Sequence, residues 1–342
     1  MRELLNTLFI QTEGALLSLD QETVRVEVEG EVRLRAPLIR LQSIVVFGRV
    51  MLTPALIGRC AQESRSIVWL SRTGRFLGRL EGPTRGNVLL RRAQHLALSQ
   101  ESWTARIARQ FVAAKVQNSR ALVLRAARDA AAAQRERLAL AAQALAEVLL
   151  RLREASDLNA IRGVEGEAAR MYFGVLSSMV KVGDERMAPD GRSRRPPRDR
   201  ANALLSLLYA LLRADCTAAL ETVGLDPQVG FLHSLRPGRP ALALDLMEEL
   251  RPAVDRLALA LINRRQVRPQ HFEQLPGGAV YLNDEGRRVV LTAYQERKAE
   301  EVEHRVLKEP LAFGLVPYVQ ARLLARHLRG DLAHYPPFLL RS

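Results

Sequence analysis

Lysine is scarce in this 342-residue chain. Only 4 of its 51 basic residues are Lys (Lys115, Lys181, Lys298 and Lys308), which leaves 47 Arg. Cysteine is scarcer still: Cys60 and Cys216 lie far apart and make no C-x-x-C spacing, so neither a disulfide framework nor a zinc ribbon is expected. Long apolar runs are missing as well. The longest near-apolar stretch, Ala203 to Leu212, falls far short of the ~20 residues that a membrane span needs. Arg2 and Glu3 stand near the start with no signal-type apolar core or small-residue cleavage site. These absences argue against a secreted, membrane-spanning or zinc-finger protein.

What the chain has in excess is positive charge. The 51 basic residues outnumber 37 acidic ones, for a formal net charge of +14. A compact basic body favours polyanions, and nucleic acid is the first candidate because phosphate neutralisation gives sequence-independent affinity. The planar fork of Arg meets phosphate oxygens bidentately. A GC-rich genome would explain Arg over Lys, but not why cations outnumber anions. With 48% hydrophobic residues the chain can bury substantial cores. At roughly 100–200 residues per domain, its length suggests two domains.

The period of the pattern changes along the chain. Val24, Val26 and Val28 alternate with Thr23, Arg25 and Glu27, and Val32 and Leu34 continue the alternation, as half-buried β structure requires. Ser43–Gly48 and Ser66–Leu70 are β-branched or aromatic runs, Arg72–Arg75 reads as a turn, and Phe76–Leu80 as a further strand. Thr53 and Pro54 mark one short helix through Gln62, as cap and first helical residue. From about Gly86 the spacing becomes helical: 87–98, 103–117, 120–153, 202–212, 243–265, 293–307 and 319–329 are expected helices. A basic Pro/Gly-rich segment, 182–200, is expected as a mobile loop, and 280–291 as a small hairpin turning at Asp284-Glu285-Gly286. The expected fold is α+β and multidomain: a small N-terminal β-sandwich, residues 1–82, followed by a larger all-α domain, residues 83–342.

Three segments of the α domain hold the chemistry-bearing residue types. Gly163-Val164-Glu165-Gly166 reads as a helix start, where an acid can simply complement the macrodipole. Gly230-Phe231-Leu232-His233 precedes a turn, where a histidine can equally be structural. In the third segment, i, i+3 and i, i+4 spacing puts Asp245 on one helix face with Glu248 and Glu249. That face could be a solvated acidic stripe. Pro252 lacks the N–H that would bond the Glu248 carbonyl, so the helix is weakened there. Glu, His and Asp/Glu together supply hard oxygens and one imidazole, suited to Mg²⁺ or Mn²⁺, and such an ion suits phosphodiester chemistry. Arg192, Arg194, Arg195, Arg198 and Arg200 in the basic loop are candidates for DNA phosphate contact.

Taken in order, these segments resemble a known family. They comprise Val46-Phe47-Gly48, Trp69-Leu70-Ser71-Arg72-Thr73-Gly74-Arg75, Arg91-Arg92-Ala93-Gln94, Gly163–Gly166 with Tyr172-Phe173, and 195–205. Gly230–His233, Asp245–Glu248, Gln320-Ala321-Arg322 and Tyr335-Pro336-Pro337-Phe338 complete the set. Across nearly the whole chain they are similar to the CRISPR-associated adaptation endonuclease and integrase, Cas one (Cas1); the tail and the Arg-Pro-Pro segment look most like the I-C subtype.

The resemblance implies a β-sandwich that dimerises and a catalytic α domain. It implies a metal-dependent enzyme that inserts short foreign-DNA spacers into the repeat array by 3′-hydroxyl transesterification. Glu165, His233 and Glu248 fall on the metal-ligand positions. Asp245 falls on an accompanying acidic position, as ligand or support, and Glu249 is a neighbouring acid that could be confused with the ligand. Asn202 and Arg251 are expected supports, and His233 is a ligand or a proton donor to the leaving oxygen. The implied partners are double-stranded DNA (incoming spacer and CRISPR repeat), a second copy forming a homodimer, a small Cas two (Cas2) dimer bridging two such dimers, and Cas four (Cas4) as an accessory. The implied location is the prokaryotic cytoplasm, with no membrane partner. Two other readings stay open: a structure-specific metal-dependent DNA nuclease without integration, and a non-enzymatic basic DNA-binding scaffold.

Overall fold

The computed structural model describes residues 7–74, 76–80, 82, 88–189, 191–193 and 195–340. The chain divides into two compact units, Met1–Arg85 and Gly86–Ser342. Of the residues singled out above, Arg2, Glu3, Arg75, Gly86 and Arg194 lie outside the described set.

The first unit holds β1 (Thr7–Ile10), β2 (Leu16–Asp20), β3 (Thr23–Val28), β4 (Glu31–Pro37), β5 (Ser43–Phe47), β6 (Met51–Leu52), α1 (Pro54–Gln62), β7 (Ser66–Leu70) and β8 (Phe76–Arg79). One sheet has the order β1-β5-β7-β8 and the other β4-β3-β2-β6. β5 pairs in parallel with β1 and β7, and β8 closes that sheet antiparallel. Inward residues of both sheets share one core. Ile44, Val46 and Ile67 from the first meet Leu17, Val24 and Val26 from the second, with Leu56 and Cys60 of α1. Thr53 caps α1, its Oγ1 accepting from the Leu56 amide at 3.5 Å, and Pro54 opens the helix as expected.

The second unit is mostly helical: α2 (Val88–Leu98), α3 (Glu101–Arg128), α4 (Ala132–Glu154), α5 (Leu158–Gly174), α6 (Arg200–Val223), α7 (Ala241–Glu248), α8 (Arg251–Asn263), α9 (Asp284–Ala299) and α10 (Val316–Leu328). Two hairpins, β9 (Phe272–Gln274) with β10 (Val280–Leu282) and β11 (Glu301–His304) with β12 (Glu309–Ala312), interrupt the helices. α3 packs against α4, α5, α7 and α8, while α6 packs against α7, α8 and α10. α6 is long and apolar enough to cross a membrane by length and composition, but two thirds of its most apolar window is buried within this unit.

Several sequence expectations are corrected. The hairpin ends at Leu282, not Leu291, and Asp284-Glu285-Gly286 starts α9 instead of turning a hairpin. Asn283 decides this: its Oδ1 accepts from the Gly286 amide at 2.9 Å, with Asp284 and Glu285 in the first turn. The β9–β10 turn falls at Gly277 and Gly278, both at positive φ. The helix expected over 293–307 stops at Ala299, and Glu301–His304 is a strand. The expected mobile loop is tied down at several points. It contains a 3₁₀ turn, Glu185–Met187, with Met187 buried, and the Pro197 carbonyl accepts from the Val280 amide at 2.9 Å.

Candidate active site

Glu165 is not at a helix start. α5 begins at Leu158, where Asp157 Oδ1 accepts from the Asn159 and Ala160 amides at 2.8 and 2.9 Å. Glu165 therefore lies mid-helix, out of reach of the macrodipole, and its side chain is 27% exposed. Flanking Gly166 leaves the cavity beside it open.

His233 is held by a buried carboxylate. Gly230 lies so close to α7 that an added Cβ would meet Ala241 and Asp245 atoms at 2.6–2.8 Å, so this approach requires glycine. The approach brings the next three amides to Asp245. Its Oδ2 accepts from Phe231 and Leu232 N–H at 2.6 and 2.9 Å, and its Oδ1 from His233 N–H at 2.9 Å. The same Oδ1 lies 2.6 Å from His233 Nδ1. Asp245 is fully buried and both its oxygens are used. In the neutral imidazole the proton therefore sits on Nδ1, and the Nε2 lone pair is free on the other side of the ring. Gln94 in α2 braces the loop leading into Gly230, its amide donating to the Asp226 and Val229 carbonyls at 2.9 and 2.8 Å. Arg162, three residues before Glu165, donates to the Leu232 carbonyl at 2.7 Å.

The acidic segment is not a solvated stripe: Asp245, Glu248 and Glu249 are all buried. The helix weakened at Pro252 divides in two, α7 ending at Glu248 and α8 beginning at Arg251. Glu248 and Glu249 consequently serve different neighbourhoods. Glu249 accepts from Tyr335 O–H and the Phe338 amide, both at 2.6 Å, and from Gln320; it is absent from the cavity wall. Glu248 Oε1 accepts from Arg251 Nε at 2.9 Å and lies 3.8 Å from His233 Nε2.

Lys115 of α3, a residue that the sequence reading passed over, completes the cluster. Its ammonium bridges Glu165 Oε1 and Glu248 Oε2, at 2.6 Å from the latter. Burial disfavours the ammonium, but Glu248 and Glu165 outweigh it and raise the Lys115 pKa. Burial likewise works against the Glu248 carboxylate, but the charges of Arg251 and Lys115 outweigh it and lower its pKa. The scarcity of lysine was the available signal. In a chain that uses Arg for 47 of 51 cations, a Lys in line with Ala108, Phe111, Ser119 and Leu122 on the inward stripe of α3 marks a place where a compact charge is required.

These residues open on a cavity of about 490 Å³ that Arg170, Tyr172, Phe173, Arg192, Tyr209 and Asp255 also line. Arg192 differs from the other loop arginines. Its Nη1 donates to Asn202 Oδ1 at 2.6 Å, and its guanidinium lies 5.8 and 5.4 Å from the Phe173 and Tyr209 ring centroids. The buried Asn202 thus supports Arg192 without lining the cavity. Arg251 stacks over Tyr209 at 4.6 Å. Arg195 and Arg198 are exposed and Arg200 half-buried.

Glu165, His233 and Glu248 suit a hard divalent ion: two carboxylates, a free imidazole nitrogen, and Glu248 Oε2, a buried oxygen with no hydrogen-bond partner despite its ion pair with Lys115. As they stand, no three His, Cys, Asp or Glu among the described residues converge into an ion site, because the Lys115 ammonium lies between the two carboxylates.

The model of the family described as CRISPR associated protein Cas1 matches residues 8–296. The chain belongs to the Cas1 family. The CRISPR-associated endonuclease Cas1 1 of Moorella thermoacetica is 54% identical over 100% of both chains. A solved Cas1 protein from Thermotoga maritima superimposes with a TM-score of 0.83 at 26% identity, covering 98% of this chain and 99% of that one. A casposase bound to integration product shares the fold, with a TM-score of 0.84 at 22% identity over 97% of this chain and 93% of its own. The β-strand unit followed by a mostly helical unit is the architecture expected of this family.

Proposed function

We propose that the chain is a metal-dependent DNA endonuclease and integrase of CRISPR adaptation, joining the 3′-hydroxyl of a spacer to a phosphodiester at the repeat by transesterification. The observation that carries this reading is the meeting of Glu165, His233 and Glu248 at one cavity, with Asp245 fixing the imidazole so that Nε2 is free. Its relative from Moorella thermoacetica bears the name endonuclease, in agreement. Glu165, His233 and Glu248 would hold Mg²⁺ or Mn²⁺. That ion, when bound, would lower the pKa of the attacking hydroxyl and offset charge on the phosphoryl oxygens. Asp245 acts as the orienting partner and not as a ligand, since both its oxygens are already engaged. His233 would act as a ligand through Nε2, a role in which its Nδ1–H still donates to Asp245. Arg251 holds Glu248 ionised, and the cations lining the cavity draw the scissile phosphate towards the carboxylates.

The assembly belongs to the same proposal. Two copies would pair through the strand-rich unit, where edge strand β4 leaves Val32 and Leu34 45% and 43% exposed. A Cas2 dimer would bridge two such pairs, with Cas4 as an accessory, in the cytoplasm. The Arg195-Pro196-Pro197 segment and the Tyr335–Phe338 tail support assignment to subtype I-C.

The test is a joining assay on repeat DNA with Cas2 and Mn²⁺. Glu165→Ala or His233→Ala should abolish strand transfer by more than the about 10–100-fold that loss of an orienting partner costs, while salt-sensitive DNA binding remains. Unchanged joining in both variants would sink the site assignment. Cleavage of branched DNA without any joining by the wild type would favour the plain nuclease, and binding with neither reaction the scaffold.

A further inference from the structure

Lys115 brings to the site a compact charge on a flexible stem, where an Arg would bring a rigid planar fork. Here that charge reaches one oxygen from each of two carboxylates that α5 and α7 bring together, Glu165 Oε1 and Glu248 Oε2. Glu165 and Glu248 are the carboxylates that would hold a divalent ion. The other Glu248 oxygen is already paired with Arg251. Two carboxylates and two fixed cations thus nearly cancel, and an incoming ion meets an ammonium in the place of strongest attraction.

We propose that Lys115 is an internal counter-ion that divalent metal must displace, and that DNA assists the displacement by giving the ammonium a phosphate to bind. This rests on the divalent-ion reading above. Metal and DNA then strengthen each other's binding. Without DNA, the Lys115 charge competes with the ion for Glu165 and Glu248. With a phosphodiester in the cavity, the four-carbon stem lets the ammonium turn from carboxylate to phosphate while remaining paired. Arg170 and Arg192, on the same wall, favour placing that phosphate there. The device would keep the site from loading metal, and hence from cutting, until its substrate is seated.

The test measures Mn²⁺ binding from the free-ion EPR signal on the full chain at constant ionic strength. Wild type, Lys115→Met and Glu248→Gln are compared, each with and without a short DNA duplex whose own Mn²⁺ uptake is subtracted. DNA should tighten wild-type Mn²⁺ binding about tenfold, within the usual range of coupling between sites. Lys115→Met should bind Mn²⁺ about tenfold more tightly than wild type without DNA, and its response to DNA should shrink to about twofold or less. A purely structural ion pair predicts the opposite: lower stability on losing Lys115 and no gain in metal affinity. Lys115→Met binding Mn²⁺ no more tightly than wild type would overturn the proposal. Should that variant fail to fold, reciprocity tests the wild type alone, since Mn²⁺ must tighten DNA binding by the same factor; equal DNA affinity with and without Mn²⁺ would overturn it too. Mn²⁺ binding that is lost in Glu248→Gln but unaltered in Lys115→Met overturns only the Lys115 proposal. Absence of saturable binding in every variant overturns the divalent site itself, and the proposal with it.

Discussion

Asp255 stands in the cavity wall, 2% exposed, and accepts from Tyr172 O–H at 2.9 Å and Tyr209 O–H at 2.5 Å. Burial pushes its carboxyl up to about 6, against the two tyrosines and the charges of Arg251 and Arg192. Burial and the Asp255 charge together raise both phenols, which therefore remain protonated donors. The sign of the pH effect follows from the raised value. The contribution of Asp255 to stability is complete below the unfolded pKa near 4 and is lost as pH rises through about 6, because the folded state holds the proton longer. The loss approaches about 3 kcal/mol at neutral pH. Asp255→Asn removes this titration. The stability of the wild type relative to the variant, from urea unfolding at a series of pH values, should fall between about pH 4 and 7 and then level off. A difference independent of pH would contradict the assignment.

At the scale of elements, the two consecutive acids Glu248 and Glu249 show how a helix end divides labour. Glu248 turns to the cavity, while Glu249 fastens the C-terminal tail. Tyr335, Gln320 and the Phe338 amide all donate to Glu249, whose carboxyl burial pushes up to about 8 against these bonds. Asn118 of α3 finishes the clasp. Its amide donates to the Glu249 and Phe338 carbonyls at 2.8 and 2.9 Å, and its oxygen accepts from the Leu340 amide at 2.8 Å. Asn118 lies one turn from Lys115, and Glu249 follows Glu248, so the tail braces two of the elements that build the site. Tyr335→Phe leaves Glu249 short of a donor and should cost about 1–3 kcal/mol in urea unfolding. Tyr335→Ala also removes a ring packed 5.2 Å from Phe111 and should cost about 3–5 kcal/mol. Equal stabilities of wild type and both variants would show that the clasp contributes nothing.

At the scale of the whole molecule, the charge of +14 predicts DNA affinity that falls steeply with salt and depends little on sequence. The loop arginines separate by role. Arg195 and Arg198 face solvent, so replacing either with Ala should weaken binding across all sequences and reduce the slope of log affinity against log salt by about 1. Arg192 is engaged with Asn202, Phe173 and Tyr209 at the cavity. Its replacement should impair joining by more than the loss of one phosphate contact weakens binding. Filter binding across a salt series measures the first effect and the joining assay the second. Identical slopes for wild type and both exposed-loop variants would remove this segment from the DNA-binding surface.

Much was legible in the sequence because it depends on local pattern. Alternating valines gave the strands around Thr23–Val28, and Thr53-Pro54 marked α1. The ordered motifs pointed to Glu165, His233 and Glu248 before their elements were placed. Local pattern misled where two local signals compete, as at Asp284-Glu285-Gly286, whose residues suit a turn as well as a helix start until Asn283 caps it. It was silent wherever chemistry depends on contacts between distant residues. Only the packing of α3 against α5 and α7 puts Lys115 between Glu165 and Glu248, turns Asp245 from a possible ligand into the fixed acceptor of His233, and sends Glu249 to the tail instead of the cavity. Spacing along a chain records which face a side chain shares, but the charge that faces it across the core exists only once the helices meet. The shortage of lysine in the sequence acquires its meaning there.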